Sequence, residues 1–164
     1  MDRAELIRRT YGMGAHTEGG YFSEVYTAQA PEGGRAGMGS IYFLLDGADV
    51  SHFHQLDCDE LWFFHEGCGI RLIMLLDGRE EELLLGTDTE HGQRAMVLMP
   101  KGAIFAAVNL DPEGYTLVSA ATSPAFNYEG FRLVLRDELQ RTAPAFERKY
   151  GEYAYEKLPE TQDT

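Results

Sequence analysis

The sequence predicts a single all-β domain, a sandwich or barrel of short antiparallel strands. Glycine is abundant, with 18 residues scattered between brief apolar runs, as tight turns between short strands require. Those runs carry a period of two, which places alternate side chains on opposite faces of a sheet. No helical stretch of a dozen residues separates them, so the crossovers of a parallel βαβ sheet are missing from the sequence.

Taken in order, the first element is a short helix. Asp2 is placed to cap it, Glu5 stands three residues on, Leu6 and Ile7 offer an apolar patch, and Gly12 ends it. Strands are then expected at Tyr21–Tyr26, Gly39–Leu45, Val50–Leu56, Glu60–His65, Ile70–Leu76, Glu81–Leu85, Ala95–Met99, Ala103–Val108, Tyr115–Thr122 and Phe131–Arg136. Asp77-Gly78 is the clearest hairpin, because a two-residue primed turn needs positive φ at both positions. Asp46-Gly47 is read the same way. A short helix is expected between Asp137 and Pro144, which completes one domain over residues 1–150. From Gly151 to Thr164 the chain is polar and charged, with Pro159, and reads as a C-terminal tail. No repeat of solenoid period and no low-complexity segment is present.

A chain of 164 residues, 44% hydrophobic and 12% aromatic, is long enough to bury one substantial core without disulfides. The formal net charge of −13, with no cluster of Lys and Arg, argues against nucleic acid and anionic membranes as partners. No run approaches the roughly 20 apolar residues that span a bilayer, and MDRAELIRRTYG lacks the apolar centre of a secretory signal. The expected location is the cytoplasm. Cys58 and Cys68 have no C-x-x-C spacing and read as ordinary small residues.

The chemistry concentrates in SHFHQLDCDELWFFHEG, Ser51 to Gly67. On a regular strand His52 and His54 share a face, and Glu60 on the following strand can join them inside the fold. Trp62 and Phe64 then line the same face, and His65 faces away. Two imidazoles and one carboxylate are a ligand set for Fe, with Mn, Zn and Ni as alternatives. His16 and His91 stand in Gly-rich or polar loops and read as surface residues. Gly19-Gly20 and Gly33-Gly34 lack the strand-turn-helix context of a phosphate loop.

The stretch Gly47–Gly67, with its glycine, H-x-H, glutamate and closing glycine, resembles the first motif of the cupin superfamily. Gly92, Pro100, Gly102 and Asn109 resemble the second motif, in which Phe105 stands where a histidine is expected. More narrowly, HTEGGYFSEVY (His16 to Tyr26), SIYFLL (Ser40 to Leu45), FHQLDCDELWFF (Phe53 to Phe64) and FNYEGFRL (Phe126 to Leu133) resemble the DUF985, or cupin-5, family, over about Leu6 to Leu139. The resemblance implies a double-stranded β-helix, or jelly-roll barrel, with a small-molecule pocket between its sheets, and a homodimer. It is carried better by His54 and Glu60 than by His52. Strand alternation and the family pattern together point Tyr42, Trp62, Gln93, Phe105 and Asn127 at the pocket, with Glu18 near its mouth.

Three activities fit these residues. One is an enzyme in which His52, His54 and Glu60 hold a divalent metal. A second is a metal-free isomerase or epimerase of a carbohydrate- or nucleotide-sugar-like ligand, with His54 and Tyr42 as acid and base. The third is a binding module without turnover. The outward apolar positions Leu61 and Phe63 beside His65 add to the expectation of a homodimer.

Overall fold

The alternating segments form strands, and the strands assort into two antiparallel sheets that face each other across an apolar interior. The structure, a computed structural model, describes residues 1–160. In chain order the elements are α1 (Arg3–Thr10), β1 (Gly14–Ala15), β2 (Tyr21–Thr27), β3 (Gly39–Asp46), β4 (Val50–Leu56), β5 (Asp59–Gly67), β6 (Ile70–Leu76), β7 (Arg79–Leu85), β8 (Met96–Met99), β9 (Ile104–Asn109), β10 (Tyr115–Ser123), β11 (Phe131–Leu133), α2 (Arg136–Thr142) and α3 (Pro144–Tyr150). One sheet runs β1-β2-β3-β10-β5-β8 and the other β11-β4-β9-β6-β7. The expected all-β jelly roll with short terminal helices is therefore what forms, as a two-sheet sandwich rather than a closed barrel.

Local chemistry sets the turns and caps. Asp77 and Gly78 adopt φ of 50° and 74°, the pair of positive angles that a primed hairpin turn demands, and they join β6 to β7. The Asp2 carboxylate accepts the Glu5 N–H at 2.8 Å and caps α1. Three elements differ from expectation. The strand expected through Arg136 ends at Leu133, because Val134 is drawn into a buried cluster with Leu139 and Phe146. A second C-terminal helix, α3, starts on Pro144 itself, where a missing N–H costs nothing in the first helical turn. The stretch expected as a tail begins with a 3₁₀ turn at Gly151–Tyr153 and buries Ala154 in the same cluster.

Three apolar clusters hold the layers together. Phe43, Trp62, Leu72 and Phe105 fill the space between the sheets, and each contributes roughly 2 kcal/mol by leaving water. Phe53, Ile73 and Ala106 on the outer face of the five-stranded sheet are covered by α2 and α3. Leu44 and Leu117 on the outer face of the other sheet are covered by Ala4 and Ile7 of α1. Among the described residues no helix is long and apolar enough to cross a membrane.

Candidate functional site

Beyond the packed interior the two sheets hold apart, leaving a cavity of about 430 Å³, within the size range of small-ligand sites. Its polar lining includes His16, Glu18, His54, Glu60, Thr122 and Asn127, and its apolar walls include Phe22, Ile41, Leu56 and Phe126.

The five-stranded sheet contributes His54 through an irregularity. Ser51 pairs with Ala107 and His54 with Phe105, so three steps along β4 oppose two along β9. Such a bulge breaks the period of two. Ser51 and His54 therefore meet the same carboxyl group, whereas the ring of His52 stacks on Tyr155 at a centroid distance of 3.7 Å and Phe53 packs under the C-terminal helices. His52 and His54, expected on one face, are separated by this bulge.

Glu18 is that carboxyl group, and the turn His16–Gly20 is clamped onto β4 to present it. The backbone N–H and the ring Nδ1–H of His52 both donate to the Glu18 carbonyl, each at 2.7 Å. Gly19 sits at φ 110°, and a Cβ there would lie 1.9 Å from the Val50 carbonyl oxygen, so only glycine permits this approach. The Ser51 hydroxyl donates to Glu18 Oε1 at 2.8 Å, and Glu18 Oε2 lies 3.2 Å from His54 Nε2 and 3.6 Å from His16 Nδ1. His16, expected on the surface, is instead buried, and its Nδ1 accepts the Glu18 N–H at 3.2 Å. Its ring meets Phe22 edge-on at 4.8 Å. Clusters of rings bury an imidazole that loop composition alone assigns to solvent.

Tautomers follow from these partners. A carbonyl can only accept, so the 2.7 Å contact from His54 Nδ1 to the His52 carbonyl fixes the proton on Nδ1 and leaves a lone pair on Nε2. Burial pushes His54 down to about 4, against the opposing pull of that carbonyl. Burial also raises the Glu18 carboxyl, with His16 and the Ser51 hydroxyl acting in the other direction. The Glu18 carboxyl, raised by burial, thus faces a neutral imidazole across 3.2 Å.

The facing sheet supplies Glu60 and Thr122, which pair directly across β5 and β10. Glu60 Oε2 and Thr122 Oγ1 are both buried without a hydrogen-bond partner. Burial first, and then the charge of Glu18, push Glu60 up to about 8. The Trp62 indole N–H acts in the opposite direction on Glu60, yet it too has no partner of hydrogen-bond geometry.

The remaining expected residues divide between the cavity and elsewhere. Asn127 lines the cavity while its Oδ1 accepts the Gly130 N–H at 2.8 Å and caps a 3₁₀ turn. Phe105 lies beneath His54 at 4.2 Å, and Trp62 packs edge-on between Phe43 and Phe105. Tyr42 points to the outer face, where it stacks on Tyr11 at 4.6 Å, so it does not reach the cavity. Gln93 braces a loop by accepting the Asp88 N–H at 3.1 Å. His65 bonds Ser119 on the outer face, and His91 is exposed beside Asp88, both as expected. Ser51 and Thr122 were absent from the sequence expectation, because a lone hydroxyl in a strand carries no motif.

A family model described as "Cupin superfamily (DUF985)" matches residues 4–134. The chain belongs to this cupin family. A hypothetical protein from Leishmania major is similar at 30% identity and a TM-score of 0.85, over 94% of this chain and 99% of that one. A protein from Shewanella oneidensis is similar at 31% identity and a TM-score of 0.90, over 96% of this chain and all of that one. A mutant of Bacillus subtilis oxalate decarboxylase shares the fold at 18% identity and a TM-score of 0.58, over 90% of this chain and 40% of that one. Among curated proteins none matches.

For a cupin, the expected metal ligands were His52, His54 and Glu60. Of these, His54 and Glu60 line the cavity and His52 does not. Phe105, at the place of a further imidazole, offers no lone pair. Among the described residues no three His, Cys, Asp or Glu side chains converge as a ligand set. The expected donors His52, His54 and Glu60 do not come together as a three-ligand metal centre.

Proposed function

We propose that this cupin binds a small molecule between its sheets and moves a proton on it without a metal, as an isomerase or epimerase does. The observation that carries the reading is the Glu18–His54 pair, a carboxyl raised by burial and a neutral imidazole 3.2 Å apart at the wall of the cavity. That spacing suits adjacent atoms of one ligand. Glu18 donates its proton to a carbonyl oxygen, and the freed Nε2 of His54 takes the proton from the neighbouring carbon. His54 then delivers its proton to the former carbonyl carbon while Glu18 takes back a proton from the hydroxyl on the neighbouring carbon, which completes an isomerisation. His52 and Ser51 hold Glu18 in place, and Glu60 and Thr122 face the ligand from the opposite sheet. No Lys or Arg is found among the residues lining the cavity, so a nucleotide sugar, with its phosphates, is a poor fit.

The test is deuterium incorporation from D₂O into a panel of aldoses, ketoses and amino sugars, followed by mass spectrometry. Wild type is expected to exchange a carbon-bound hydrogen in at least one compound, and Glu18→Gln to lose that exchange. A compound that binds with no exchange would favour the binding-module reading. Metal analysis of protein purified without a nickel column should find less than one tightly bound metal per chain. Stoichiometric Fe, Mn, Zn or Ni would overturn the metal-free reading.

The proposal includes self-association. Leu61, Met96 and Leu98 are exposed together on the outer face of β5 and β8, with Leu61 paired to Leu98 and Phe63 to Met96. Sedimentation velocity at micromolar concentration should show a dimer, and a compact monomer would remove this part.

A further inference from the structure

The two walls of the cavity differ in what they lack. Glu18 has the Ser51 hydroxyl on one oxygen and His54 on the other. Glu60 is 8% exposed and Thr122 6%, both side chains line the cavity, and Glu60 Oε2 and Thr122 Oγ1 have no hydrogen-bond partner. A buried oxygen left without a partner carries an uncompensated desolvation cost, so two such atoms on neighbouring strands are a cost that a ligand can relieve. Carboxyls dominate the charge of the cavity: Glu18, Glu24 and Glu60 line it, whereas no Lys or Arg does. Arg35, near its mouth, is engaged by both oxygens of Asp57 and by the Ala125 carbonyl. Phe22, Phe126 and Tyr128 present aromatic rings to the same space. Buried oxygens without a partner, carboxyls without a Lys or Arg beside them and aromatic faces share one complement, a compact cation rich in N–H groups.

We infer that the Glu60–Thr122 wall is a subsite for the primary ammonium group of a small organic amine. The three N–H bonds of such a group meet the Glu60 carboxyl and the Thr122 hydroxyl, with the third left for Asn127 or water, and the carbon chain lies against Ile41, Leu56 and Ala120. The inference rests on the reading of this cavity as a small-molecule site and names the class of ligand that enters it. It leaves the Glu18–His54 pair free to act on the rest of the molecule.

The test uses three probes of similar shape and different charge, 2-phenylethylamine, 2-phenylethanol and phenylacetate, titrated calorimetrically into the wild-type protein. The amine is expected to bind about tenfold or more tightly than the alcohol, and phenylacetate to give no measurable binding. Glu60→Gln, which keeps the shape of the side chain but cannot ionise when the amine binds, should bring the amine to the affinity of the alcohol. Thr122→Val should weaken the amine by a smaller factor. Equal affinity of amine and alcohol in the wild type, tighter binding of phenylacetate, or no heat with any probe would overturn the inference. These titrations are independent of turnover: amine binding in a protein that exchanges no deuterium would retain this inference and discard the proton-transfer reading.

Discussion

The Glu18 turn and the Glu60 strand pair put the same functional group at opposite walls of one cavity by different means. Glu18 stands on a turn with no sheet around it, and it is held by His52, Ser51 and the close fit of Gly19 against Val50. Glu60 stands near the start of β5, hydrogen-bonded on both sides between β8 and β10, and its backbone needs no such help. Yet the side chain on the irregular segment is satisfied, and the side chain on the regular one is not. The contrast suits the two tasks proposed for these walls. A catalytic pair has to be aligned before the ligand arrives, which takes hydrogen bonds, whereas a binding wall has to keep its acceptors open.

The largest break in this comparison comes from Gly19→Ala. A Cβ at φ 110° and 1.9 Å from the Val50 carbonyl forces the turn off β4, at a cost of about 3 kcal/mol. Thermal melts should fall by roughly 6–12 °C. The Glu18–His54 contact should also disappear from histidine NMR spectra. A variant that melts with wild type and keeps the His54 resonances would show that the turn is not clamped.

A smaller effect separates the two walls by pH. Glu60 holds its proton up to about 8 in the fold against 4.5 ordinarily, so between these values the folded chain binds the extra proton and stability declines as pH rises. His54 has the reverse sign: lowered to about 4 from 6.5, it makes stability rise with pH across that window. The two oppose each other up to about 6.5, and above it Glu60 acts with only the raised Glu18 beside it. Stability should therefore fall between pH 6.5 and 8 with a slope on the order of 1 kcal/mol per pH unit. Glu60→Gln should remove most of this fall in urea titrations at several pH values. An unchanged slope in the variant would assign the effect to Glu18.

The smallest effect sharpens the account of the satisfied wall. Ser51→Ala removes one donor to Glu18 and should cost about 1 kcal/mol in urea unfolding. Because that hydroxyl holds the Glu18 carboxyl down, its loss should raise the Glu18 titration further, as followed by carboxyl-labelled NMR. The amine preference of the opposite wall should stay as in wild type. Loss of that preference would mean that the walls are not independent.

Much of the fold was legible because it is written in local chemistry. Alternation located β4 and β6 to the residue, at Val50–Leu56 and Ile70–Leu76, and Asp77-Gly78 set the turn between β6 and β7. Of the site, His54 and Glu60 were legible from strand parity, and Glu18 and Asn127 from the resemblance. Tyr42 was misplaced on the cavity side, since parity fixes which residues share a face and not which face is covered by α1. Gln93 was misplaced because a loop glutamine gives no direction at all.

The sequence by itself determined the strands, the tight turns, the sandwich class and the two carboxyl and imidazole residues at the centre of the site, because each depends on neighbours within a few positions. Only the tertiary structure decided that His52 leaves the cavity and that His16 enters it. The bulge that turns His52 outward exists in the pairing of β4 with β9, where three residues oppose two. His16 is buried by Phe22 of β2 and by Phe126 and Phe131, which reach it from the segment around β11 far along the chain. Neither a register between distant strands nor a ring cluster assembled from distant segments has a local signature, so both are settled when the sheets pack.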